Sequence, residues 1–178
     1  VHGVKSLNIQ LSDLEHRKGE PLPFRLTLDP DELKQRHQEI RGMTPVDAHG
    51  EAVKLGNLYY LTGTLKADVE FVCARCLKRF TAHMEIPFAE TFAPEEMAPE
   101  LDEDSDIHLL ESDEIKLDEW LQEDFLLAVP AFPLCAEDCK GLCPTCGVNR
   151  NEQPCSCKNE RIDPRLAALA DFFDQSDQ

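Results

Sequence analysis

The placement of cysteine constrains this chain more than any other feature. Two of the eight form Cys73-x2-Cys76 within FVCARCLKRF, and six follow later as Cys135-x3-Cys139-x3-Cys143-x2-Cys146-x8-Cys155-x-Cys157. The start VHGVKSLNIQ lacks the basic region and apolar core of a signal peptide, and no long apolar run exists to span a bilayer, so a cytosolic setting is expected. Thiols stay reduced there, and so many cysteines then read as metal ligands or redox thiols rather than disulfides.

Within the later block, CPTCG has the shape of a zinc knuckle. Two thiolates approach one ion from a tight turn, amides after the first cysteine donate to its sulfur, and Gly147 permits the positive φ that turns the chain away. Thiols clustered at neutral pH are protonated or mutually repelling, and a divalent zinc ion deprotonates them and removes the repulsion. The short loop from Cys146 to Cys155 allows Cys143, Cys146, Cys155 and Cys157 to close one site. Cys73 and Cys76 are then left to meet Cys135 and Cys139, which would staple the C-terminal module to the body. A competing partition holds one zinc on a subset of the sulfurs and leaves spare thiols. Arg75, Lys78, Arg79, Lys140, Arg150, Lys158 and Arg161 lie within a few positions of a cysteine, which suits screening of thiolate charge.

Catalysis is not expected. Four protein ligands saturate a structural zinc, whereas a catalytic zinc keeps a water. The histidines (His2, His16, His37, His49, His83, His108) stand out of ligand spacing with the cysteines, and no glycine-rich phosphate loop or nucleophile elbow is present. A thioredoxin-like use of CARC would need a βαβ setting that the surrounding pattern does not offer.

That pattern is a strand pattern. Leu65, Ala67, Val69, Phe71 and Cys73 alternate with Lys66, Asp68, Glu70 and Val72, and Phe80, Ala82, Met84, Ile86 and Phe88 resume the alternation beyond ARCLKR. This predicts a β-hairpin with one buried face and the first cysteine pair at its tip. Further strands are expected over Leu7 to Leu11, Phe24 to Leu28 and Leu55 to Leu61, with a solvated helix over 29–42 capped by Asp29 and stopped by Gly42. Leu117, Trp120, Leu121, Phe125 and Ala128 recur at helical spacing before Pro130 and predict a helix packed on the sheet. A second helix is expected after Asp163, with Leu166, Leu169, Phe172 and Phe173 as its apolar stripe. The fold class is therefore α+β: an antiparallel β-rich body with a few helices and a C-terminal zinc-binding module. Its expected parts are residues 1–92 (the body with its hairpin), 93–130 (an acidic segment and packing helix) and 131–178 (the cysteine-rich module and terminal helix).

Charge divides the candidate partners. With 35 acidic against 18 basic residues the net charge is -17, which repels bare nucleic acid on average. Glu90 to Asp124 carries 15 acidic residues against Lys116 alone. It reads either as a solvated linker or as a docking surface for a basic partner.

Taken in order, CARCL on a hairpin, the acidic stretch, LDEWLQEDFLLAVPAFPLC, CKGLCPTCGVNRN, CSC and IDPRLAAL resemble the YceD family of large ribosomal RNA subunit accumulation proteins over roughly residues 55–173. The resemblance implies a non-enzymatic bacterial or plastid factor needed for 23S rRNA accumulation and so for large-subunit biogenesis. It places the family's cysteine pattern on all eight positions, with Gly141, Pro144, Gly147 and Asn149 in its turns. Three mechanisms are open. The zinc-stapled module can present Arg75, Lys78 and Arg79 to rRNA or a pre-ribosomal surface, as zinc knuckles do in RNA binders. The acidic stretch can hold a basic ribosomal protein. Oxidation can eject zinc from a redox-sensing module.

Overall fold

Alternating apolar residues lay down most of this molecule. In the computed structural model, which describes residues 7–100 and 106–157, the elements run β1 (Asn8–Gln10), α1 (Leu11–His16), β2 (Leu22–Leu28), α2 (Pro30–Arg36), β3 (Gly42–Met43), β4 (Val46–Leu55), β5 (Leu58–Val72), β6 (Arg79–Pro94), β7 (Ile107–Leu110), β8 (Glu114–Lys116) and α3 (Leu117–Ala128). The main sheet has the order β2-β4-β5-β6-β7, with β3 also pairing β5. Every pair in it is antiparallel except β6 with β7. A separate small sheet joins β1 to β8. The fold is thus α+β with a β-rich body, as the sequence predicts.

The predicted hairpin is the spine. Leu65, Ala67, Val69 and Phe71 of β5 are buried, and they lie opposite Ile86, Met84, Ala82 and Phe80 of β6 on the same face. Each such side chain removed from water contributes about 1.5–3 kcal/mol for the larger residues. From α3, Leu117, Leu121 and Phe125 are fully buried, one helical turn apart. The Trp120 ring stands edge-on to Phe92 with centroids 5.1 Å apart, which fixes the helix against β6. Gln122 of α3 donates to Glu32 of α2 at 2.9 Å and accepts from Arg36 at 3.1 Å, so the two helices share one side of the body.

One transverse row sets how closely the strands approach. Phe24, Gly50, Gly63 and Phe88 are consecutive register partners across β2, β4, β5 and β6. A Cβ on Gly63 would sit 2.3 Å from the His49 carbonyl oxygen and 2.6 Å from the Phe88 ring. The two rings, with centroids 6.3 Å apart, cover the glycines in place of side chains.

Several expectations are corrected. The strand expected over Leu7 to Leu11 ends at Gln10, because Leu11 and Leu14 turn inward as the buried face of α1. Asp29 does cap α2, accepting from the Asp31 N–H at 2.8 Å, but the helix ends at Arg36 rather than at Gly42. Leu33 is its one buried residue, too little apolar surface to carry the helix further, and Gly42 instead pairs with Glu70 as part of β3. The strand expected over Leu55 to Leu61 is split by a turn at Gly56, with β4 before it and β5 after. The acidic stretch is not a linker throughout: Glu95–Glu100 form a 3-10 helix, and Ile107–Leu110 join the sheet. The helix expected after Asp163 lies outside the described residues. Among the described residues no helix is long and apolar enough to cross a membrane.

Candidate metal centres

The turn between β5 and β6 forms the first cysteine knuckle. The Cys73 N–H donates to the Lys78 carbonyl at 2.9 Å, and the Leu77 N–H donates back to the Cys73 carbonyl at 2.9 Å. Leu77 adopts φ 58, a left-handed conformation rare for a branched residue. The second knuckle repeats this backbone: Gly147 N–H donates to the Cys143 carbonyl at 2.8 Å, and Gly147 has φ 75. The position that glycine fills in one knuckle is filled by leucine in the other.

The chain leaving α3 is led to the first knuckle by its own backbone. Ala74 N–H donates to the Pro133 carbonyl at 2.8 Å, just before Cys135, and Leu142 N–H donates to the Arg75 carbonyl at 3.0 Å. Gly141 has φ 70, and a Cβ there would meet the Arg75 carbonyl oxygen at 3.0 Å and the Arg75 Cβ at 3.2 Å. Glycine is therefore required at 141 both by conformation and by space. The Arg75 guanidinium completes the clasp, its Nη1 donating to the carbonyls of Cys139 at 2.9 Å and Glu137 at 3.3 Å.

These contacts bring Cys73, Cys76, Cys135 and Cys139 into one cluster, and Cys143, Cys146, Cys155 and Cys157 into another, with the sulfurs of each within 4.8 Å of one another. Within the first cluster, Cys73 Sγ lies 3.8 Å from Cys139 Sγ, and Cys76 Sγ 3.6 Å from Cys135 Sγ. Those separations are far longer than a disulfide bond. They match the edge of about 3.8 Å that four thiolates at ~2.3 Å from a tetrahedral zinc would span. Four soft sulfur donors at tetrahedral spacing suit a thiophilic divalent ion, so the residues of both clusters fit such a group.

The environment already favours one thiolate per cluster. Burial pushes the Cys73 thiol up, but backbone N–H groups of Cys135, Cys76 and Arg75 aimed at its sulfur outweigh burial and bring it down to about 6. In the second cluster the amides of Cys146 and Thr145 lower Cys143 to about 6. The neighbours move the other way. Cys135 is pushed up to about 12 by burial and by the adjoining Cys76, and Cys157 to about 12 by its contacts with Cys146 and Cys155. A second anion beside the first is disfavoured unless a cation lies between them, and a metal ion supplies that charge.

Two asparagines link the clusters. Asn149 Oδ1 accepts from the Asn151 N–H at 3.1 Å and from its Nδ2 at 2.9 Å. Asn151 in turn accepts from the Lys140 N–H at 2.7 Å and directs Nδ2 to Cys139 Sγ at 3.3 Å. A residue of the second ribbon thus donates to a sulfur of the first cluster, the kind of outer hydrogen bond that orients a metal ligand. Asn151 carries no signal in the sequence, since its partner sulfur is known only once the ribbon is folded.

The basic residues singled out at the tip are engaged within the chain. Arg75 clasps the carbonyls of the module, Arg79 pairs with Glu70 at 2.8 Å, and Lys78 lies 3.8 Å from Glu152. Away from the sulfurs, His108 Nε2 lies 2.6 Å from Glu90 Oε2, and its ring centroid lies 4.3 Å from that of Trp120.

An uncharacterized protein of Mycobacterium tuberculosis is 34% identical over 129 residues, covering 72% of this chain and 61% of its own length. The chain thus spans about three fifths of that relative. The uncharacterized protein YlbN of Bacillus subtilis is 29% identical over 156 residues, 87% of this chain and 90% of its own length. No solved structure matches. The family described as "Large ribosomal RNA subunit accumulation protein YceD" matches residues 61–173, which take in β6, α3 and all eight cysteines, and the chain belongs to that family.

Proposed function

We propose that this chain is a non-catalytic, zinc-stabilised factor of large ribosomal subunit biogenesis, acting in the cytoplasm and supporting accumulation of the subunit's RNA by binding a component of the pre-ribosomal particle. The observation that carries the reading is the closure of both cysteine clusters: four sulfurs in each, and no cysteine left over. Zinc with four thiolates has no open position for water or substrate, so its contribution is a cross-link. The residues of the chain do the rest. Arg75 binds the module's carbonyls, Asn151 orients Cys139, and the paired knuckles tie the chain beyond α3 to the tip of the β5–β6 hairpin.

The bound component is a basic protein in this reading. Arg75, Lys78 and Arg79 each have a partner within the chain, and the net charge is -17. Both facts favour a cationic protein over bare RNA. Affinity capture from growing cells tests the proposal. Proteins of the large subunit should remain bound after nuclease treatment and be released as salt rises. The Cys73→Ser, Cys135→Ser variant should lose the zinc of the first cluster and, with it, these partners. Recovery only with intact RNA would return the assignment to an RNA contact through Lys78 and Arg79, and capture free of large-subunit components would remove the functional reading.

A further inference from the structure

Beyond its turn, β6 carries an edge that no described strand covers. β7 pairs only with Thr91 to Pro94, so Arg79 to Glu90 has β5 on one side and no strand on the other among the described residues. Because Cys73 N–H bonds to the Lys78 carbonyl, alternation along the ladder turns the main-chain groups of Phe80, Ala82, Met84 and Ile86 toward β5. Those of Thr81, His83, Glu85 and Pro87 turn outward. Pro87, which has no N–H, falls in the outward set, where it interrupts no ladder bond.

The core face is open at the same place. Leu65, Ala67, Val69 and Phe71 are buried, yet their partners Ile86, Met84, Ala82 and Phe80 are only half-buried. A further strand beside β6 would cover that apolar row and satisfy the outward main-chain groups together. Long unpaired edges ordinarily invite such pairing, and extended peptides use them as docking sites.

We propose that the edge of β6 from Arg79 to Glu90 receives an extended basic segment of a partner protein as an added strand, an inference that rests on the large-subunit reading above and names how the partner is held. Charge selects the occupant. At the Glu90 end of the edge a cleft is lined by Glu90, Asp106, Glu123 and Asp124, with His108 and Trp120. A second copy would instead bring together two chains of net charge -17. Glu90 follows Phe80 to Ile86 on the same face, opposite the buried Leu61, so a segment that is apolar beside Phe80 to Ile86 and cationic beside Glu90 along that face matches both.

The test uses the full chain and a synthetic peptide that alternates valine with serine and carries lysines at both ends. A second peptide has the same sequence and charge but is N-methylated at every residue, so neither of its edges can donate a main-chain hydrogen bond. The plain peptide should slow amide exchange at Thr81, His83 and Glu85. The methylated one should bind at least about fivefold more weakly. Thr81→Pro, which removes an outward N–H and leaves the β5–β6 ladder intact, should weaken the plain peptide by a similar factor with zinc content unchanged. Equal binding of the two peptides would overturn the inference, as would protection of those amides by single-stranded RNA but not by peptide. So would protection already present in the free chain, since the chain itself or a second copy would then fill the edge. A chain that captures large-subunit proteins but shows none of the peptide effects loses the edge alone. One that takes the peptide along β6 yet never captures those proteins keeps the edge and loses the functional reading.

Discussion

Replacing Gly141 by alanine should loosen the first metal centre without removing any ligand. Gly141 has φ 70, and its added Cβ would press on the Arg75 carbonyl oxygen at 3.0 Å and the Arg75 Cβ at 3.2 Å. The left-handed conformation alone costs a residue with a Cβ about 1–2 kcal/mol. The close approach adds to it, because neither neighbour is a flexible side-chain end, and about 1–3 kcal/mol in all is expected. The contact exists only when the segment from Cys135 to Leu142 is seated on the knuckle, so the cost falls on metal-dependent closure. Zinc affinity at the first cluster should fall by roughly five- to a hundredfold in chelator competition. Two controls isolate the contact. Gly147 has φ 75 with nothing within 4 Å of its added Cβ, so Gly147→Ala should show the conformational cost alone at the second cluster. Gly56 has φ 61 and equally open space in the β4–β5 turn, so Gly56→Ala should lower the melting temperature without changing zinc affinity. If Gly141→Ala binds zinc no more weakly than Gly147→Ala, the clasp between Arg75 and the module is wrong.

Leu77→Gly tests the other knuckle. Leu77 holds φ 58 while the residue is 64% exposed, so glycine should stabilise the zinc-loaded chain by about 0.5–1 kcal/mol and raise its melting temperature by ~1–4 °C. A lower melting temperature would mean that the leucine side chain contributes more than its backbone costs. Asp124 is pushed up to about 7 by burial and then by the nearby Glu90 carboxylate. Its folded form therefore holds a proton that the unfolded chain releases near 4, so the contribution of Asp124 to stability is largest in acid and is lost as pH rises from about 4 through about 7. Asp124→Asn should flatten that slope and gain on the order of 1–2 kcal/mol above pH 7, allowing for solvent on its open side. Parallel denaturation curves for the two proteins across pH would refute the assignment.

How far the sequence reveals this molecule depends on the size of the residues at each buried position. β5 and β6 are legible because Leu65, Val69, Phe71 and Phe80 alternate with charged residues, and α3 because Leu117, Leu121 and Phe125 fall at helical spacing. β4 is not, since the buried face of VDAHGEAVKL is made of Val46, Ala48, Gly50 and Ala52, whose small side chains weaken the period-two signal. β1 is short and pairs with β8, more than a hundred positions along the chain, and no local pattern announces such a partner. The short ribbon from Cys143 to Cys157 allows the division of the cysteines into two sets without dictating it, and only the folded chain groups the sulfurs that way. The use of Arg75 does not follow. Its nearness to the cysteines is visible, but whether its guanidinium faces solvent or the carbonyls of Glu137 and Cys139 is settled only by where the chain after α3 returns.

Metal content measured cluster by cluster bears most directly on the account. Native mass spectrometry of the full chain, purified reduced and without chelator, should show one zinc for each of the two sulfur clusters. Cys135→Ser with Cys139→Ser should lose one ion, and Cys155→Ser with Cys157→Ser the other. A reduced, folded chain that carries no bound metal, or that keeps its full complement after either pair is replaced, would contradict it.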